Sequence, residues 1–112
     1  MKGIGGNVKA VIQVNAHAVN AIGEQTETWT DVQTLKGWLD LAGGEARYSP
    51  YNAKIQASTH VFICDYVPLD NRITAETDRM VINGKRYDIT LIDNPMELNA
   101  QLEIFLKYTG GQ

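Results

Sequence analysis

His60 and Cys64 stand four residues apart in Thr59-His60-Val61-Phe62-Ile63-Cys64-Asp65-Tyr66. On a helix that spacing would place an imidazole beside a thiol, the start of a zinc site or of a thiol nucleophile. The apolar neighbours specify a strand instead. In a strand the two side chains share a face but lie about 13 Å apart at ~3.3 Å per residue, too far for one metal ion. His17 is the only other histidine, Cys64 the only cysteine, and no Cys-x-x-Cys occurs, so neither a metal site nor a disulfide is expected. A thiol in so apolar a run is buried and unreactive, with a raised pKa. Asp88 with Asp93 and Glu97 with Glu103 are the carboxylate pairs that acid-base chemistry would need. They occupy alternating polar positions, where solvated side chains belong. Gly3-Ile4-Gly5-Gly6 and Gly43-Gly44 lack the following Lys-Ser/Thr of a phosphate loop. The reading is of a protein with no catalytic residue, metal ligand or cofactor.

Aromatic and basic residues raise a second chemistry, base stacking on a small β-barrel. Trp38, Tyr48, Tyr51, Phe62, Tyr66 and Tyr87, with Arg47, Lys54, Lys85 and Arg86, are the residue types of an OB-like nucleic-acid module. Ten basic side chains against 13 acidic ones give a formal charge of −3, which argues against free-standing binding to phosphate. Core packing on alternating strand faces accounts better for Trp38, Phe62 and Tyr87, and the basic residues are interleaved with acidic ones.

The elements that position these residues are strands. Arg79-Met80-Val81-Ile82-Asn83-Gly84-Lys85-Arg86-Tyr87-Asp88-Ile89-Thr90-Leu91-Ile92 has at its centre an Asn-Gly pair, suited to the positive φ angles of a type I′ turn. The turn sets Ile82 against Lys85, Met80 against Tyr87 and Arg79 against Asp88, with Met80, Ile82, Tyr87, Ile89 and Leu91 on the core side. After Asp93-Asn94-Pro95 a third strand is expected, with Leu98, Ala100, Leu102, Ile104, Leu106 and Tyr108 facing inward. Val8 to Ala16 alternates as a first strand. Asn20 to Thr30 reads as a loop or exposed ribbon closed by Trp29. Thr30 to Leu41 reads as a long strand with Leu35, Leu39 and Leu41 on one face and a bulge or bend at Gly37. The fold class is mainly β, a small antiparallel barrel or sandwich with long loops and one short helix, over Tyr51 to Ala57, in the 43–58 connection. At 112 residues it forms one domain, with glycine-flanked ends, 1–6 and 109–112, that should fray. No apolar run approaches the ~20 residues of a membrane helix, and no signal peptide is evident.

The 43–58 connection is the feature packing explains least. Connections in compact domains usually run about 4–6 residues, and longer ones tend to be functional. Glu45, Arg47, Tyr48, Tyr51 and Lys54 carry the aromatic and charged types that anchor interfaces. Asp70 and Arg72, in a loop that is a turn by its chemistry, join them as candidate protein-interface residues.

The order of these pieces resembles a known family. A tryptophan strand leads to Gly44-Glu45, then a long excursion, a Thr-led strand ending in Tyr66, and the block Gly84-Lys85-Arg86-Tyr87-Asp88-Ile89. In this the chain is similar, over roughly residues 8 to 108, to the head-tail joining proteins of tailed bacteriophages, also called head-closure or stopper proteins. It differs in carrying Asp65 where the family often has a basic residue, and Ala42-Gly43-Gly44-Glu45 at a Ser-Gly-Arg-Glu-like corner. The resemblance implies a small β-barrel with a helix in the connection. It implies a ring, commonly dodecameric, that closes the DNA-filled head beneath portal and adaptor proteins and docks the tail. Assembly would occur in the host cytoplasm and leave the protein in the virion neck, with non-specific DNA contact in the channel. A minor tail or tail-completion role on the same fold is the near alternative.

Overall fold

The computed structural model describes residues 3–19, 21–41 and 58–111. These residues form six strands, β1 (Val8–Val19), β2 (Gln25–Leu41), β3 (His60–Asp65), β4 (Arg79–Ile82), β5 (Lys85–Asp93) and β6 (Gln101–Gly111). Every pairing is antiparallel, and the order β1-β2-β3-β6-β5-β4 returns to β1, closing the sheet. Ala10, Ile12, Leu35, Phe62, Cys64, Met80, Ile82, Tyr87, Ile89, Leu102, Ile104 and Leu106 point inward and form the core.

The hairpin has the expected register. Arg79 pairs with Asp88, Met80 with Tyr87 and Ile82 with Lys85, across Asn83 at φ 52° and Gly84 at φ 78°. Arg79 turns its side chain the other way, donating to Gln13 at 2.7 Å and covering the Trp29 ring at 4.0 Å. Gln13 in turn donates to Asp31 at 2.7 Å.

Extra residues shift the register at two places, and one inward assignment changes. On β5 the pairing jumps from Ile89–Leu106 to Leu91–Phe105. Thr90 is the extra residue, so Leu91 turns outward and Ile92 packs on the core in its place. On β2 the pairing jumps from Gln33 to Asp31 opposite Ile12 and Gln13, leaving Val32 extra and packed partly against the core. At the C-terminal strand the expected start is early. Pro95–Glu97 form a short 3-10 turn, and Asn99 has φ 55°. Leu98 is therefore exposed, and inward alternation begins at Leu102. Leu41, expected on the face of Leu35 and Leu39, is exposed because it lies beyond the end of the core. The helix expected at 51–57 lies outside the described residues.

Gly37 is neither a bulge nor a kink in the register. It pairs with Val8 on one side and Cys64 on the other, the point where β2 passes from β1 to β3. A Cβ there would lie 2.3 Å from the Ile63 carbonyl oxygen and 2.9 Å from the Phe62 ring. Only glycine lets the strands close over that ring.

Urea unfolding will show this. Gly37→Ala, and separately Asn83→Pro, which cannot adopt the positive φ, should each lower stability by about 2–3 kcal/mol. An unchanged midpoint for either would contradict the closure described.

Candidate functional site

The candidate interface residues of the sequence fall at the two ends of the closed sheet. At one end Leu41 pairs with His60, so the connection that holds Glu45, Arg47, Tyr48, Tyr51 and Lys54 leaves and returns between neighbouring strands. Those five residues lie outside the described residues; Ser58, where the chain returns, hydrogen-bonds to Thr90 at 2.6 Å. Thr59 Oγ1 accepts from the Tyr108 amide at 2.8 Å and hydrogen-bonds to His60 Nδ1 at 2.8 Å. His60 packs edge-on against Tyr87 with centroids 5.1 Å apart, and Tyr87 lies 5.3 Å from Tyr108. Burial, then the neighbouring Tyr108, raises the Tyr87 pKa. This aromatic cluster closes the end of the core, with half-exposed Tyr108 as its outer face.

The opposite end carries the 66–78 and 94–100 loops and the β1–β2 ribbon beyond the strands' pairing with β4 and β3. Asp70 and Arg72 are here, away from the attachment points of the 43–58 connection. They bind each other. The Arg72 guanidinium donates to both Asp70 carboxylate oxygens at 2.9 and 2.8 Å, and the Arg72 amide donates to Oδ1 at 2.9 Å. These bonds, the side-chain ones first, hold the Asp70 carboxyl down to about 2.

Three anchors of these ends carried no signal in the sequence. Gln33 accepts from the Asp70 amide at 2.8 Å and donates to the Pro68 carbonyl at 3.1 Å, clamping the loop to β2. Asp78, which is buried, accepts from the Thr74 amide at 2.6 Å and the Asn15 amide at 3.2 Å. Such bonds offset the cost of taking a carboxylate out of water. Asp65 accepts from the amides of Ile4 at 2.7 Å and Gly5 at 3.1 Å, and the Trp38 indole donates to the Ile4 carbonyl at 3.1 Å. Residues 3–6 are thereby laid over Gly37, where Gly6 has φ 143° and no room for a Cβ. Apart from Thr74, four residues from Asp78, the partners are some 30 to 60 residues distant in sequence, which local pattern cannot reveal.

Among the described residues the base-stacking arrangement is not assembled. Phe62 and Tyr87 are buried in the core, so their faces cannot receive bases. Trp38 is 45% exposed, not in the core as expected, and its indole is held by the 3–6 segment. Among the described residues no three His, Cys, Asp or Glu side chains gather to hold a metal. Cys64 is buried, and burial, then the Asp65 charge, pushes its thiol up to about 11.

A family model for the phage head completion protein matches residues 1–108, and the chain belongs to that family. It is a structural virion-assembly protein of a tailed phage, a connector between head and tail rather than an enzyme. No curated protein matches the chain. Among solved structures, the solution structure of protein SF1141 from Shigella flexneri 2a is similar over 97% of both chains, with a TM-score of 0.64 at 19% identity. A chain of the virion of a native gene transfer agent particle is similar over 94% of this chain and 96% of its own, with a TM-score of 0.59 at 12% identity. At such identities these two likenesses establish a shared fold.

A thiol held at about 11 has a consequence in alkali. Between the ordinary value of 9.0 and about 11 the unfolded chain gives up a proton that the folded chain keeps. Stability fully present below pH 9.0 is therefore lost as pH rises through that window. Unfolding measured across it should show the wild type losing stability relative to Cys64→Ala. Parallel profiles, or rapid thiol labelling of the native protein at neutral pH, would contradict the buried assignment.

Proposed function

We propose that this chain forms a ring at the neck of the particle, beneath the portal and adaptor proteins, where it retains packaged DNA and offers the tail its docking surface. Membership of the head completion family over residues 1–108 carries this reading. The geometry supports it. A closed sheet with a filled core is a rigid spacer, and its two ends each present long segments that can reach different partners. The 43–58 connection leaves one end, and the β1–β2 ribbon with the 66–78 and 94–100 loops occupies the other. Glu45, Arg47, Tyr48, Tyr51 and Lys54 would meet partner proteins from the first end. Asp70 and Arg72, already paired, would present a preformed corner at the second. Assembly in the host cytoplasm and a dodecameric ring follow from the family resemblance, as does passing contact with DNA.

Deleting the gene from the phage that encodes it should leave filled heads that lose DNA and carry no tails. Adding the purified chain to such heads with free tails should restore joined particles. Tyr48→Ser with Tyr51→Ser should lower that restoration by about tenfold or more, as loss of interface anchors does, while the melting temperature of the free chain stays near wild type. Tailed, infectious particles from the deletion would refute the neck role.

A further inference from the structure

Two cross-strand pairs in this sheet set like charges directly opposite one another. Lys9 of β1 lies opposite Lys36 of β2, and both are exposed. Asp93 of β5 lies opposite Glu103 of β6. Such pairs weaken a sheet. Glu103 accepts from the Gln101 side-chain amide at 2.9 Å, which leaves its charge in place.

Their positions are complementary. In the closed order β1-β2-β3-β6-β5-β4 the β1–β2 seam and the β6–β5 seam are three steps apart in either direction. The basic pair and the acidic pair thus lie on opposite walls of the molecule. Beside the acidic pair the register shift turns Leu91 outward, opposite Phe105, and both are half-buried. Beside the basic pair, Val11 pairs with Thr34 on one side and with Val81 on the other.

We propose that the wall carrying Lys9 and Lys36 of one copy docks on the wall carrying Asp93 and Glu103 of the next, with Leu91 and Phe105 as the apolar contact. This rests on the ring reading above and names the surfaces that would build it. A two-fold contact through either wall would set like charges together, whereas a head-to-tail contact sets opposite charges together. Contacts of this heterologous kind close into a ring when the rotation from copy to copy closes. Because the paired charges sit on different surfaces of one chain, each copy uses one wall on each side, and the ends of the sheet stay free for other partners.

The test is sedimentation of the purified chain at low salt over a concentration series. The wild type should self-associate, and added salt should weaken the association. K9E/K36E and D93K/E103K should each weaken it by about tenfold or more. A one-to-one mixture of the two variants should restore it, since every contact in an alternating assembly then joins opposite charges. That rescue also shows that both variants fold. Variants that assemble like the wild type, or a mixture that fails to recover, would overturn the assignment of these walls and leave the neck role standing. A wild-type chain that stays monomeric at about 1 mM would overturn it too, and the deletion phenotype would then judge the neck role separately.

Discussion

Closure of the sheet depends on β4, a strand of four residues that pairs with β5 on one side and β1 on the other. Without that double pairing β1 and β5 would each present a bare edge, and Ile12, Met80 and Ile82 would lose their shared enclosure. Asp78 sets where β4 begins. Its carboxylate holds the amides of Asn15 in β1 and Thr74 in the preceding loop, while its carbonyl accepts from Ile89 of β5 at 3.1 Å. One buried acidic residue thus joins three segments at the seam where the ring of strands shuts.

The opposite side of the ring is governed by space instead of charge. At Gly37 the main chain of β2 lies against β3 and the Phe62 ring, and Gly6 lies against it from outside. Two glycines 31 residues apart therefore meet back to back. The outer one is held there by Asp65, so the N-terminal segment becomes part of the wall it crosses.

Much of this architecture is legible in the residues because it is local. Asn83-Gly84 specifies its own turn, and the turn specifies the register of Arg79 to Asp88. Leu102, Ile104 and Leu106 alternate as a half-buried strand must, and the apolar run around Cys64 marks its burial. What alternation misreads are the places where one extra residue reverses it, at Val32 and Thr90, because an added residue leaves no mark in the pattern. Leu98 and Leu41 were misassigned for a related reason: hydrophobicity does not say where a strand stops. The candidate site was legible as a long connection and a turn, and Asp70 and Arg72 do form that turn. Asp65, Asp78 and Gln33 were invisible, since an acidic or amide side chain in a polar stretch looks solvated until a distant backbone amide arrives to bind it.

The β1–β2 ribbon has a different status from the rest of the molecule. Among the residues whose burial is described, none between Val14 and Gln33 is a fully buried core residue, and β1 leaves β4 after Gln13. Beyond Asn15 and Trp29, adding or removing a matched pair of residues changes the ribbon's reach by about 3.3 Å while Val32, the Arg79–Trp29 stack and the Asn15–Asp78 bond stay in place. Among descendants of a common ancestor, such a segment can drift in length to follow a changing partner while the body it projects from stays the same, which makes it a place for lineages to diverge.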